Sequence, residues 1–99
     1  MKKSILCYGD SNTWGWDGET AKRLPYEERW TGVLSSLLPD TLIIENAVNG
    51  RTTAFDDPIE PHRNGLATLD VAMLACMPVD LVIISLGAND TKTHLNVPP

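Results

Sequence analysis

Ile5-Leu6-Cys7-Tyr8-Gly9-Asp10-Ser11-Asn12-Thr13 is the stretch around which the rest of the chain is read. Four apolar residues run into a glycine, then an acid, then a serine. A continuous apolar run this short reads as a buried strand. Gly9 ends it, because glycine tolerates the backbone angles of a tight turn. Ser11 then falls just past the carboxyl end of the strand, the edge at which open α/β sheets bind their ligands. A serine there is either a nucleophile or a cap for the following turn, since Asp, Ser and Asn are ordinary turn residues. Asp10 has the same two readings, a general acid or base against an acceptor for nearby backbone N–H groups. Two later stretches bear on the choice: Asn49-Gly50-Arg51 and Gly87-Ala88-Asn89-Asp90.

Working outward, residues 10–24 read as a polar loop carrying Trp14 and Trp16, with Gly15 and Gly18 as turn signals. A first long helix is predicted to begin near Pro25, a residue favoured at the first helical position. Glu27 and Glu28 then lie in the first turn, where the helix dipole favours negative charge. Trp30, Val33, Leu34, Leu37 and Leu38 recur at helical spacing, and Pro39-Asp40 stops the helix. Thr41 to Glu45 is a second strand, continuous rather than alternating, as expected when both faces are covered. Residues 46–57 are a loop, prolonged by Pro58 and Pro61. A second long helix spans about Gly65 to Met77, with Leu66, Leu69, Met73 and Met77 on one face. Asp80 to Leu86 is a third strand ending at Gly87, and Thr91 is a candidate start for a further helix. The order is β-α-β-α-β. With right-handed crossovers it makes a parallel sheet with helices on its faces. The carboxyl ends of the three strands then lie on one side, so the loops holding Ser11, Gly50 and Asn89 converge.

Bulk properties narrow the function. Ninety-nine residues make one small domain, and 42% hydrophobic with 21% charged residues is a globular composition. A net charge of −5 argues against nucleic acid or an anionic membrane as partner. The two cysteines, Cys7 and Cys76, have no C-x-x-C spacing and read as small buried hydrophobes. Lys2-Lys3 is followed by an apolar run too brief for a secretory signal, and Val71 to Met77 is far short of a membrane span. A cytoplasmic location is the expectation.

A serine hydroxyl needs a base to become a nucleophile. The oxyanion formed on attack needs preorganised donors. The serine loop offers its own N–H. Gly50 offers another, with no side chain to block approach, and Asn89 offers an amide with two donor hydrogens. This set suits acyl transfer. A phosphate site would show a glycine-rich run opening a helix with a close Lys or Arg, and only Arg51 is a candidate. Trp14 and Trp16 read either as walls of an acyl or aryl pocket or as loop packing, with Asp10 and Asn12 as further substrate-contact candidates. Asn49 and Thr52 flank the Gly50 loop and shape it. Arg29 and Arg51 read as structural ion pairs or subunit contacts.

Gly9-Asp10-Ser11-Asn12, Gly50 and Gly87-Ala88-Asn89-Asp90 together resemble the first three sequence blocks of the SGNH (GDSL) hydrolase superfamily. Gly-Asp-Ser-x-Thr-Trp-Gly-Trp, Arg29-Trp30-Thr31-Gly32-Val33-Leu34, Arg51-Thr52-Thr53 and Gly-x-Asn-Asp-Thr-Lys are similar to its arylesterase/acyltransferase branch. The resemblance implies a three-layer α/β/α flavodoxin-like fold and a serine esterase acting on small acyl or aryl esters, without cofactor or metal. It implies Ser11 as nucleophile and Ser11, Gly50 and Asn89 as oxyanion donors. Asn12 stands where the signature has leucine, a change beside the chemistry.

The family's base is a histidine three residues after an aspartate. Neither histidine here fits: Ile59 stands three before His62, and Thr91 three before His94. Both read as solvated surface residues. In flavodoxin-like sheets the spatial order begins 2-1-3, with a fourth strand beside the third. Without one, Val82-Ile83-Ile84 is an uncovered apolar edge. The expectation is therefore that residues 1–99 are the amino-terminal portion of one hydrolase domain. Its carboxyl-terminal portion, which is a separate chain, a proteolytic fragment or absent, would bring Asp-x-x-His. Exposed apolar surface also suggests a homo-oligomer. The rival readings are a noncatalytic subunit or inactive fragment, and a flavodoxin-like nucleotide-binding module.

Overall fold

The apolar run at Ile5 becomes the middle of a three-stranded parallel sheet. In a computed structural model, which describes residues 2–98, β1 (Lys3–Gly9) leads through α1 (Ser11–Trp14) and a hairpin of β2 (Trp16–Asp17) and β3 (Lys22–Arg23). Next come α2 (Trp30–Leu37), β4 (Thr41–Ala47), α3 (Gly65–Cys76) and β5 (Leu81–Ser85). The sheet order is β4-β1-β5, with Leu6 between Ile44 and Val82 and Gly9 between Ala47 and Ser85. This is the expected 2-1-3 order, and all three strands end on the same side.

Side chains alternate across a strand, so β1 serves two layers. Leu6 and Tyr8 face α3, where Leu69, Ala72, Met73 and Cys76 close over them together with Ile44, Val82 and Leu86. The opposite face carries Cys7 and, beside it on β4, Glu45. There Thr31 of α2 donates its hydroxyl to Glu45 Oε2 (2.6 Å), and Arg29 meets Oε1 at 3.0 Å. Burial, with Glu45 nearby, pushes the Cys7 thiol up to about 11. Cys7 is thus an inert core group, as a small buried hydrophobe should be. At the amino end of the sheet, Ser4 N–H donates to Asp80 Oδ2 (2.8 Å) and its hydroxyl to the Pro78 carbonyl (2.8 Å), fixing where β5 begins.

Several expectations are corrected. The helix foreseen from Pro25 is a single 3-10 turn at Tyr26–Glu28, and α2 starts only at Trp30. Arg29, in extended conformation between them, breaks the run. The loop at 10–24 contains α1 and the β2–β3 hairpin, whose turn is held by Asp17: Oδ1 accepts from Glu19 N–H and Oδ2 from the Thr20 hydroxyl. On α3 the buried stripe is Leu69, Ala72, Met73 and Cys76, while Leu66 and Met77 are exposed. After β5 the chain forms 3-10 turns at Ala88–Thr91 and Thr93–Leu95 rather than an α-helix.

β5 keeps an apolar flank, with Ile84 55% exposed beside Leu66 of α3 at 66%. Between them a cleft of about 290 Å³ is lined by Tyr8, Thr53, Ala54, Leu69 and Leu86 as well as those two. Among the described residues no helix is long and apolar enough to cross a membrane.

Candidate active site

Ser11 is the first residue of α1, placed there by the turn that ends β1. Asp10 is the N-cap: its carbonyl accepts from Trp14 N–H (2.9 Å) and its carboxylate from Asn12 N–H (3.1 Å). The Ser11 N–H, in the first turn, is one of those a helix leaves without an internal acceptor. The turn is tight because Gly9 lies against Thr13, whose hydroxyl in turn accepts from Trp30 Nε1 (3.2 Å). The serine is thereby carried on the junction of β1, α1 and α2.

Gly50 sits in a four-residue turn closed by Arg51 N–H donating to the Val48 carbonyl (3.1 Å). Its φ is +86°, and Asn49 has no positive φ, so this is a type II turn, which asks for glycine at its third position. Among the described residues the Gly50 N–H has no acceptor. Asn89 lies in the 3-10 turn after β5. One hydrogen of its amide is donated to the Arg51 carbonyl (3.1 Å), which orients the group and leaves the other free. Asp90 ties the same two loops: its carboxylate accepts from Thr53 N–H (2.8 Å) and the Thr53 hydroxyl (2.6 Å).

Arg51 departs from expectation. It makes no ion pair with a carboxylate among the described residues. It is buried, with its guanidinium 3.9 Å over the Tyr8 ring and donating to the carbonyls of Gly9 (3.2 Å) and Asn46 (2.9 Å) and to Asn46 Oδ1 (3.0 Å). Burial lowers its pKa from the usual arginine value. It clamps the ends of β1 and β4, from which the Ser11 and Gly50 loops leave. Arg29 does form the expected structural pair, with Glu45.

Ser11, Gly50 and Asn89 line one open cleft of about 290 Å³, with Trp16, Asn49, Glu60 and Lys92 as the other walls. Three separate strand ends thus bring Ser11, Gly50 and Asn89 to one surface. Trp16 is the aromatic wall. Trp14 lies elsewhere, under the Arg23 guanidinium at 4.8 Å. Asp10 is buried beneath the serine turn, and Asn12 faces solvent outside the cleft.

The sequence matches the GDSL-like Lipase/Acylhydrolase family over residues 7–99. The chain belongs to that family. No curated protein sequence matches this GDSL-like chain. Among solved structures, it is similar to Est24, a carbohydrate acetylesterase from Sinorhizobium meliloti, at 46% identity and a TM-score of 0.92. That match covers 99% of this chain and 48% of the other. It is similar to the native aryl esterase of M. smegmatis at 46% identity and 0.91, covering 98% and 47%. AlinE4, an SGNH-hydrolase family esterase, is 26% identical at 0.73, covering 97% and 46%. The GDSL-like chain therefore spans about half the length of these solved relatives.

A charged cluster beside the cleft was not foreseen. The buried Asp57 carboxylate accepts from Lys92 Nζ (2.9 Å) and lies 2.9 Å from His94 Nε2, while Ile59 N–H donates to it at 2.8 Å. Its pKa is lowered well below the usual carboxylate range, first by Lys92. Lys92 also donates to the Gly50 carbonyl (3.1 Å). His94 is therefore engaged through Nε2 rather than simply solvated. His62, exposed with φ +64°, is a surface residue as expected. Nothing local in sequence signals this cluster, because its members come from a proline-rich loop and from the segment after β5.

Proposed function

We propose that this GDSL-like protein is a carboxylic ester hydrolase with Ser11 as its nucleophile. The observation that carries the reading is the convergence of Ser11, Gly50 and Asn89 on one cleft. Ser11 Oγ attacks the ester carbonyl carbon, and its proton passes to a histidine of an Asp-x-x-His block contributed by a carboxyl-terminal portion. The developing oxyanion accepts from the N–H groups of Ser11 and Gly50 and from the free amide hydrogen of Asn89. Loss of one such donor costs about 2.7–4 kcal/mol in the barrier. Collapse expels the alcohol and leaves an acyl-serine, which water hydrolyses or a second alcohol intercepts. Small acyl and aryl esters are the substrate class. This follows from the similarity to an aryl esterase and a carbohydrate acetylesterase, and from Trp16 as the one aromatic wall of a small cleft. The carboxyl-terminal portion docks over β5 and Leu66, whose exposed apolar groups need cover. A homo-oligomer would cover more of the apolar surface, including Leu37 and Leu74. In the whole enzyme, Ser11→Ala abolishes the burst of phenol from an aryl acetate. An unchanged burst removes Ser11 from the mechanism.

A second reading, a noncatalytic subunit or inactive fragment, is favoured by one observation. Neither His62 nor His94 lines the cleft. Turnover by the 99-residue chain alone, compared with turnover after adding the complementary portion, separates the two.

A further inference from the structure

The central peptide of the Gly50 turn, between Asn49 and Gly50, is the one unit of the turn with no hydrogen bond inside it. A type I and a type II turn differ mainly by a flip of this peptide, which exchanges the sides on which its C=O and N–H emerge. In this protein the carbonyl of Asn49 is claimed from outside the turn: Arg63 Nε donates to it at 2.8 Å. A trans peptide is planar, so fixing the C=O on one side sends the Gly50 N–H to the other. Arg63 is itself held on every side. Its Nη1 donates to the Pro61 carbonyl (2.8 Å), its Nη2 lies 3.1 Å from Glu60 Oε2, and its own carbonyl accepts from Thr52 N–H (2.7 Å). The next carbonyl, that of Gly50, is taken by Lys92 Nζ.

We propose that Arg63 is a positioning residue for the oxyanion site. Through its Nε–H it holds the Asn49–Gly50 peptide in the one orientation that presents the Gly50 N–H as a donor. A donor on the carbonyl also polarises the amide and strengthens its N–H, since linked hydrogen bonds reinforce one another. The inference rests on the reading of Gly50 as an oxyanion donor given above. Its effect falls on the transition state, where charge develops on the oxygen, and not on ground-state binding.

The test is a pair of substitutions in the whole enzyme. Arg63→Gln places an amide nitrogen the same number of bonds from the backbone as Nε, and it loses the charge and the Glu60 pair. Arg63→Met has the same chain length and no donor. Met lowers kcat for an aryl acetate roughly ten- to hundredfold, less than the 10²–10³ of a donor removed outright, with KM unchanged. Gln keeps kcat near that of the parent. Equal losses in both variants would assign Arg63 to the ion pair and overturn the proposal, as would no loss in either. Should Met not fold, Arg63→Leu is the second donor-free variant. Failure of both to fold where Gln folds would make the donor a folding requirement and also overturn the proposal. Ser11→Ala is run in parallel: if it retains turnover, the site reading itself fails and the proposal falls with it. If it is inactive while Arg63→Met matches the parent, only the positioning role is lost.

Discussion

Gly9 leaves no room for a methyl group. A Cβ there would fall on the side chain of Thr13 and approach the Ser85 carbonyl to 3.1 Å. The alternative to glycine is displacement of α1 and, with it, Ser11. Overpacking a tight site costs about 1–3 kcal/mol. Gly9→Ala is therefore expected to lower stability in denaturant unfolding by about that amount and to cut turnover more than stability alone explains. A variant as stable and active as the parent would show that the turn has slack. The serine position was legible in sequence for the same reason: an apolar run ending in Gly-Asp-Ser admits few local structures. What each neighbour does was less legible. Asp10 and Asn12 lie one residue either side of Ser11, yet one is buried as a cap and the other faces solvent. That choice is made by Thr13 and Trp30 packing around the turn, which spacing does not encode.

At the scale of elements, Arg51 joins what the loops would otherwise leave separate. It satisfies carbonyls at the ends of β1 and β4 from inside the protein, stacked on Tyr8. Arg51→Leu leaves Asn46 Oδ1 without a donor and the Gly9 carbonyl with the Val48 N–H alone, at about 1–3 kcal/mol for each buried group left unpaired and not reached by water. The expected outcome is a lower melting temperature by calorimetry, with activity lost in step. Unchanged melting would mean that water replaces the guanidinium. The three strands were readable because continuous apolar runs dominate their sequences, and α3 because residues 66–77 contain no glycine or proline to interrupt a helix. The start of α2 was not. Pro25, Glu27 and Glu28 are good helix-opening residues, but their turn closes as 3-10 and Arg29 is drawn out toward Glu45 and the Leu24 carbonyl (2.9 Å). Of the stripe foreseen on α3, Leu69 and Met73 do pack on the core, and the missed members, Ala72 and Cys76, are small. Close approach to Leu6 and Tyr8 selects them over the larger Leu66 and Met77.

Across the whole molecule, the cleft is held from behind by charges that no local pattern announces. Asp57 receives Lys92, His94 and two backbone N–H groups, and so links the loop before α3 to the segment after β5. Its folded pKa lies below the ordinary value of 3.8. The stability it contributes is therefore fully present above that ordinary value and is lost as pH falls through the lowered one. Unfolding free energies of the parent and Asp57→Asn should differ at neutral pH and converge in acid; a gap independent of pH would contradict this. The global order β4-β1-β5 and the convergence of three loops were legible because parallel strands with right-handed crossovers leave few alternatives.

The central claim is that Ser11 carries the acyl group. The most direct measurement is peptide mass spectrometry of the whole enzyme, acid-quenched during turnover of an aryl acetate. The account predicts one acetyl group on the peptide containing Ser11, absent from Ser11→Ala. Turnover with no adduct there, or with the acetyl group on another residue, would contradict it.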